Sequence, residues 1–238
     1  INDLNIKKCI DYFDDKPIQK LVFVSTCSNY GLISEGELAD EEFKLNPLSL
    51  YAKAKVSNEQ YLLDKKGKVN YSGVILRFAT AFGLSPRMRF DLTISEFTRD
   101  LFFGETLVVF DEHTWRPYCH VRDFARLIEI VFNAEKSLVN FEVFNAGGDK
   151  NNFTKKMIVD CIASKIEGAK IEYNQNDSDP RNYKVNFNKV KTVLGFVPEK
   201  SVEDGIDELI ESFKLGLFKD SKTSPEKYGN YNLNYSED

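Results

Sequence analysis

The sequence predicts an α/β protein built on a parallel β-sheet with helices packed against it. Two short apolar runs, at residues 21–24 and 74–76, have the length and composition of buried strands. Between them, residues 51–63 carry apolar side chains at helical spacing, so strands and helices alternate along the chain. With 238 residues, 42% of them hydrophobic, the chain can bury a core in one large domain or in two small interlocked ones.

Charge and cysteine content restrict the class of partner. The net charge of −5 is modest and spread along the chain, which gives no indication of a nucleic-acid or membrane-surface partner. The four cysteines lie far apart without C-x-x-C spacing, so we expect reduced thiols in a cytoplasmic protein and no metal site. No apolar run approaches the ~18 residues of a membrane helix, and no signal peptide is visible.

The remaining elements follow from apolar spacing and from the residues that punctuate loops. Residues 3–14 have one apolar face and predict an amphipathic helix. Asn46, Pro47 and Ser49 mark the loop before the helix over 51–63. The later patterns predict helices over 92–103, 122–134, 153–166, 189–194 and 202–217, with strands over 107–110 and 141–145. Residues 221–238 are polar and short of aliphatic side chains, so we expect a mobile tail there.

A possible proton-transfer site lies where the first strand ends. Thr26 follows that strand at its carboxyl end, where open α/β sheets bind their ligands. Tyr51 and Lys55 are four residues apart and therefore share one face of their helix. A phenol ionises near pH ~10, and a neighbouring ammonium lowers that pKa toward the working range of a base. Thr26 could then hold a substrate hydroxyl while Tyr51 removes its proton; the alternative is a half-buried helix face with a snorkelling lysine.

Several motifs together resemble those of the extended short-chain dehydrogenase/reductases that act on nucleotide sugars. The interval between Thr26 and the Tyr51/Lys55 pair is like that family's. Further matching segments follow in the family's order at residues 25–31, 76–83, 116–123, 144–148, 194–198 and 202–206. The resemblance covers about residues 2–215 and is specific to the superfamily, but it does not identify one substrate.

The resemblance implies a Rossmann-like, doubly wound parallel sheet with a smaller α/β substrate domain. Residues 1–83 and 119–146 would form the later part of the dinucleotide-binding domain, and residues 84–118 and 147–220 the substrate domain. The family's glycine-rich turn for the cofactor pyrophosphate is absent from this sequence. We therefore expect a fragment of a longer chain, which by itself binds NAD poorly, rather than an independent protein that has lost dinucleotide binding.

The family's functional positions transfer to named residues of this chain. The resemblance implies a catalytic set of Thr26, Tyr51 and Lys55. It implies a cofactor, NAD with NADP as the alternative, held by Asn2, Ser25, Tyr51, Lys55, Phe78 and Thr80. Asn2 could equally cap the first helix, and Thr80 stands where many sugar epimerases have an asparagine.

A nucleotide-diphosphate sugar is the substrate that the resemblance implies. The residues expected to bind it are Ser28, Thr80, Arg87, Arg89, Asp91, Leu92, Arg116 and Arg181. Guanidinium groups match phosphate oxygens, although Arg87 and Arg89 could instead face solvent. Arg181 would replace a second diphosphate arginine, because Asn176 occupies the slot that many relatives give to it.

Epimerisation is the reaction that the resemblance favours. Tyr51 would take the proton from a ring hydroxyl, hydride would pass to NAD, and the keto sugar would turn before the hydride returns. Cys27 and Ser28 stand where dehydratases of this family carry an Asp-Glu pair, which disfavours dehydration. A ketosugar reductase or dehydrogenase is the alternative within the family, and a non-catalytic sugar-binding or dimerisation fragment is the alternative from another class. The family also implies a homodimer through helices 3–14 and 51–63, whose apolar faces could equally pack internally.

Overall fold

The computed structural model describes residues 3–175 and 181–229 of the chain. Strands and helices alternate along it. The strands are β1 (Lys20–Thr26), β2 (Ser72–Phe78), β3 (Thr80–Phe82), β4 (Thr106–Phe110), β5 (Trp115–His120), β6 (Glu142–Ala146), β7 (Asn152–Thr154) and β8 (Lys170–Asn174). The helices are α1 (Leu4–Tyr12), α2 (Leu50–Leu63), α3 (Thr93–Phe102), α4 (Val121–Asn133), α5 (Lys136–Val139), α6 (Lys155–Ala163), α7 (Asn188–Leu194) and α8 (Val202–Lys214).

The main sheet has the order β1-β2-β6 and is parallel throughout. Its central strand β2 is buried along almost its whole length, as its continuous apolar run predicts. Successive residues of the sheet face opposite cores: Val74 and Leu76 belong to one, and Ile75 to the other. Helices α1 and α2 cover the Ile75 face, and α4 and α7 cover the opposite one. The predicted α/β fold with a doubly wound parallel sheet is confirmed.

A second group of elements has its own core. Strands β3, β5 and β7 form one small sheet, and β4 pairs in parallel with β8. Helices α3, α6 and α8 pack around these strands through side chains such as Ile94, Ile158 and Leu209. Part of the later chain returns to the first core, where Tyr183 and Phe196 are buried. The carboxyl ends of β1 and β2 therefore face a second, separately packed body.

Some element boundaries differ from the predicted ones. The helix predicted over 153–166 begins only at Lys155, because Asn152–Thr154 pairs with β5 as β7. The Thr154 side chain caps this helix by accepting a hydrogen bond from the Met157 backbone N–H, at 3.1 Å. The strand β8 has mostly exposed side chains, so its apolar pattern is too weak for it to be recognised in the sequence.

The structure describes the beginning of the predicted tail, up to residue 229, and places it against the second core. Residues Pro225–Tyr228 form a short 3-10 helix, and the Tyr228 ring lies 5.6 Å from Phe90 and 5.8 Å from Phe218. The Phe90 N–H also donates to the Tyr228 carbonyl at 2.6 Å. A few aromatic side chains are therefore enough to dock a segment whose overall composition is polar.

Two further expectations concern redox state and membranes. Cys9, Cys27, Cys119 and Cys161 are all free thiols. Within residues 3–175 and 181–229, no helix is both long enough and apolar enough to cross a lipid bilayer.

Candidate active site

A cavity of about 430 Å³ opens at the carboxyl ends of β1 and β2, between the main sheet and the second core. The lining mixes apolar and polar side chains, as is typical of small-molecule sites. Its polar and charged members are Ser25, Thr26, Ser28, Tyr51, Thr80, Asp91, Thr93, Arg116, Tyr118, Lys155, Arg181 and Tyr183. Its apolar members include Val24, Phe78, Leu92 and Phe124. The structure thus brings residues from across the sequence to one cleft.

Thr26 and Tyr51 both face this cavity. Thr26 ends β1, is 9% exposed, and its Oγ1 accepts a hydrogen bond from the Ser28 N–H at 3.1 Å. Tyr51 lies in the first turn of α2, whose N-cap Ser49 accepts from the Ala52 N–H at 3.1 Å. The Tyr51 side chain is 48% exposed, so its phenol is accessible to a ligand. The end of β1 and the N-terminus of α2 therefore direct the hydroxyl groups of Thr26 and Tyr51 into the same cavity.

Lys55 supports this wall from behind instead of lining the cavity. Its Nζ donates to the Val24 carbonyl at 2.7 Å and lies 5.6 Å from the centroid of the Tyr51 ring. It also lies 4.9 Å from the Phe23 ring. Burial lowers the pKa of Lys55, and the Glu59 carboxylate acts in the opposite direction. The ammonium is thus held one helical turn from the phenol, as the spacing predicts.

The direction of the Tyr51 pKa differs from the prediction. Burial raises the pKa of Tyr51 above the ordinary value of a phenol, and the Arg89 charge only partly opposes this effect. We expected the Lys55 ammonium to lower this pKa, but desolvation is the larger influence. Tyr51 is therefore protonated at neutral pH in this structure. The cation that sequence reasoning missed for this purpose is Arg89, which it assigned to the substrate.

The predicted cofactor residues have different surroundings. The Ser25 hydroxyl donates to the Glu59 carboxylate, so this side chain is engaged inside the protein even though Ser25 borders the cavity. Phe78 stacks on Phe124 with ring centroids 4.0 Å apart and planes at 11°. Thr80 begins β3 and lines the cavity. Asn2 lies outside the described residues, as does Asn176.

The predicted substrate residues fall into two groups. Ser28, Asp91, Leu92, Arg116 and Arg181 line the cavity together with Thr80. Arg116 is 8% exposed, donates to the Trp115 carbonyl at 2.7 Å, and places its guanidinium 5.1 Å from the Tyr183 ring centroid.

Arg87 and Arg89 form the other group, since neither borders the cavity in the part of the chain that the structure describes. Arg87 is exposed. Arg89 binds the Asp91 carboxylate through two hydrogen bonds of 2.6 Å each. This internal pair explains why Arg89 does not reach into the cavity.

The cavity residues that were not predicted from the sequence include Tyr118, Lys155 and Tyr183. The Tyr183 hydroxyl lies 3.2 Å from the Ser28 hydroxyl, and burial raises the pKa of Tyr118 to about 12. Lys155, the first residue of α6, donates to the Phe110 carbonyl at 2.6 Å. Tyr118 belongs to the 116–123 motif and could have been found there. No local signal identifies Lys155, because its place depends on how β7 and α6 dock.

Comparisons with known proteins agree with this geometry. The chain belongs to the NAD dependent epimerase/dehydratase family, whose sequence profile matches residues 6–147. A UDP-glucuronate 4-epimerase of Thermodesulfobacterium geofontis is 27% identical over 221 residues, which cover 87% of this chain and 66% of that protein. The chain spans about two thirds of the length of the relatives that it matches.

Solved structures give the same result for the fold. UDP-glucuronic acid 4-epimerase from Bacillus cereus, in complex with UDP-glucuronic acid and NAD, has a TM-score of 0.78 and 25% identity; the match covers 90% of this chain and 67% of that one. For dTDP-glucose 4,6-dehydratase from Bacillus anthracis in complex with NAD, the TM-score is 0.79 at 24% identity, covering 94% and 70%.

Proposed function

We propose that this chain is part of an NAD-dependent nucleotide-sugar epimerase that works by transient oxidation of a sugar carbon. The observation that carries the proposal is the single cavity in which Thr26 and Tyr51 meet Arg116 and Arg181. Hydroxyl groups suited to proton transfer thus share a space with guanidinium groups suited to phosphate oxygens. A similar UDP-glucuronate 4-epimerase and the similar epimerase structure with UDP-glucuronic acid and NAD support the same reaction.

The residues around this cavity fit one end of a dinucleotide. Phe78 and Val24 offer apolar surface beside the hydroxyl groups of Thr26 and Tyr51, which suits a flat ring with polar substituents. The chain has no glycine-rich turn for the pyrophosphate. NAD, when bound, supplies the hydride acceptor. We therefore propose that Ser25, Tyr51, Lys55, Phe78 and Thr80 border its nicotinamide end, and that other residues hold the remainder.

Within this site each side chain has a distinct task. Once the phenol of Tyr51 is ionised in the loaded site, its oxygen accepts the proton of the sugar hydroxyl and later returns it, while Thr26 orients that hydroxyl by a hydrogen bond. Lys55 keeps a positive charge one helical turn away and stabilises the phenolate when it forms. Arg116, held between the Trp115 carbonyl and the Tyr183 ring, provides a guanidinium for the diphosphate. Arg181 and Lys155 add positive charge to the same cavity.

The test is an incubation of the full-length protein with NAD⁺ and a panel of UDP-, dTDP- and GDP-sugars. Epimer formation without net NADH supports the proposal, and it is measured by NMR of the sugar together with absorbance at 340 nm. Stoichiometric NADH formation would instead support a dehydrogenase. Ligand binding without any turnover would favour the non-catalytic alternative and would overturn the proposal.

We also propose that the chain is a fragment of a longer polypeptide. It spans about two thirds of its relatives, and among the described strands β1 pairs with β2 alone, which leaves one edge of the main sheet without a strand. An exposed edge is a place where further strands add. The isolated chain is then expected to bind NAD far more weakly than the full-length protein, as isothermal titration calorimetry would measure.

A homodimer through helices 3–14 and 51–63 is a further part of the proposal. Leu4, Tyr12 and Leu50 on α1 and α2 are exposed by 71%, 64% and 85% respectively, so these helices offer apolar side chains to a partner. Other faces of these helices already contact each other, for example through Lys7 and Ser57 at 2.7 Å. Sedimentation equilibrium of the full-length protein should give twice the chain mass; a monomer would contradict this.

A further inference from the structure

A buried polar network lies directly beneath the cavity wall. The Glu59 carboxylate is 2% exposed and receives bonds from three residues. Arg77 Nε donates to Oε1 at 3.2 Å and to Oε2 at 3.1 Å, and its Nη2 donates to Oε2 at 2.8 Å. The Asn29 amide donates at 2.8 Å, and the Ser25 hydroxyl is the third donor. One side chain of α2 thus connects the end of β1, the following turn and the end of β2.

Glu59 occupies the same helix face as the residues of the proposed chemistry. Tyr51, Lys55 and Glu59 are spaced by four residues, so they form one row along α2. Two members of this row reach successive residues of β1, since Lys55 donates to the Val24 carbonyl and Glu59 accepts from Ser25. The next residue along β1 is Thr26, which faces the cavity with Tyr51. The row therefore fixes the helix against the strand end that carries the site.

The buried ion pair between Arg77 and Glu59 is not well explained by a contribution to folding stability. Removing two charges from water costs several kcal/mol, and replacing a buried ion pair with apolar side chains is often neutral or stabilising. Arg77 and Glu59 are nonetheless 5% and 2% exposed. A directional, charged contact between a helix and two strand ends fixes their relative position more narrowly than apolar packing does.

We propose that Glu59 is a positioning residue of this site, which holds the Tyr51 and Lys55 face of α2 in register with Thr26. The inference rests on the proposed function. Glu59 acts through Lys55 and through the β1 end, without contacting the ligand. It also contributes negative charge beneath the ammonium of Lys55, where its effect opposes that of burial.

The surroundings of Lys55 make this electrostatic contribution measurable. Its neighbours are Tyr51 and Glu59 on α2, the Val24 carbonyl and the Phe23 ring on β1, Arg77 of β2 across the Glu59 carboxylate, and Arg89 on the far side of Tyr51. Among these, Glu59 is the carboxylate that raises the pKa of Lys55. Glu59→Gln keeps the shape and removes the charge, so the pKa of Lys55 should fall further below its ordinary value.

The experiment compares Glu59→Gln with the native full-length protein. Lysines are ¹³C-methylated, the Lys55 resonance is assigned with Lys55→Arg, and its pKa is read from an NMR titration. We expect a lower pKa for Lys55, together with a kcat reduced about 10- to 100-fold and an unchanged Kd for the nucleoside diphosphate UDP. If Glu59→Gln does not fold, Glu59→Gln/Arg77→Met removes both charges together with the directional contact and should again lower kcat.

The matched control is Asp123→Asn. Asp123 is also 2% exposed and also accepts several hydrogen bonds, from the Glu199 and Lys200 backbone and from Arg126. It should leave the pKa of Lys55 unchanged. An unchanged pKa for Lys55 in the folded Glu59 variant overturns the inference, as does an equal loss of kcat in both variants. If the native protein lacks epimerase activity, the proposed function fails, and the titration still decides the role of Glu59.

Discussion

The proposed chemistry depends on Tyr51, whose surroundings both favour and oppose the ionisation of its phenol. Burial raises the pKa of its phenol, while two cations lie nearby: Lys55 at 5.6 Å from the ring and Arg89, whose charge acts against the burial. A phenol that is protonated at rest can release its proton only when further positive charge or a bound ligand favours the phenolate. The proposed site therefore requires positive charge near Tyr51 to stabilise its phenolate.

Removal of the phenol oxygen should stop the reaction without affecting the fold. We predict that Tyr51→Phe lowers kcat of the full-length protein by at least ~100-fold, since general acid–base catalysis contributes on that scale. The control is Tyr61→Phe on the same helix. The Tyr61 hydroxyl donates a 2.6 Å hydrogen bond to Asp11 and does not line the cavity. Steady-state kinetics and circular dichroism of both variants are the measurements. A near-normal rate for Tyr51→Phe would exclude Tyr51 as the proton acceptor.

Arg89 should control the ionisation of Tyr51. Its positive charge lowers the pKa of that phenol, so Arg89→Gln should raise the pKa of Tyr51 further. Because the base must be deprotonated, the acidic limb of the rate profile should move to higher pH in the same variant. NMR titration of ¹³Cζ-tyrosine, with Tyr51→Phe for assignment, measures the effect. The exposed Arg87→Gln, two residues away, serves as the control, and an equal shift in both variants would contradict the specific role of Arg89.

Helix α2 is the element that carries the site, because its N-terminus points Tyr51 into the cavity while its later turns anchor it to the sheet. Ser49 caps its start, Lys55 binds the Val24 carbonyl, and Glu59 binds the ends of both neighbouring strands. In the second core, α8 packs closely on Phe82 of β3 at Gly205. A Cβ at Gly205 would lie 2.4 Å from the Phe82 ring.

Because of this close approach, we predict that Gly205→Ala lowers the free energy of unfolding, whereas helix propensity alone would raise it. Alanine is favoured over glycine in a helix by about 1 kcal/mol. Gly205→Ala should nevertheless destabilise the protein by about 1–2 kcal/mol, because Phe82 is 2% exposed and has no room to move. Urea unfolding measures the difference, with Glu203→Ala at an exposed position of α8 expected to change stability by less than ~0.5 kcal/mol. If Gly205→Ala stabilised the protein, the Phe82 ring would have to move at little cost, and the prediction would be wrong.

At the scale of the whole molecule, the chain combines a sheet covered on both faces with a second core that closes the cavity. The pattern of apolar residues was sufficient to predict the parallel sheet, because β1 and β2 are short continuous runs between helices. The Tyr51/Lys55 pair was likewise predictable, since spacing along a helix is a local property. These predictions depend on residues close together in the sequence.

The rest of the site could not be predicted because it depends on tertiary docking. Lys155 and Tyr183 reach the cavity only through the pairing of β7 with β5 and the return of residues 183–196 to the first core. Asp91 also binds Arg89, which keeps the Arg89 side chain out of the cavity lining, and Glu59 binds the hydroxyl of Ser25 at the cavity border. Hydrogen bonding within the folded chain, which the sequence does not display, determines which polar groups remain directed at a ligand.

The central claim is that this cavity epimerises a nucleotide sugar by moving hydrogen from one carbon and returning it to the same carbon. The most direct measurement uses the full-length protein, NAD⁺ and UDP-glucuronic acid deuterated at C4, followed by ¹H and ²H NMR. We predict that the 4-epimer forms with deuterium retained at C4 and without accumulation of NADH. Loss of the deuterium to solvent, or the absence of any epimer in the presence of bound substrate, would contradict the account.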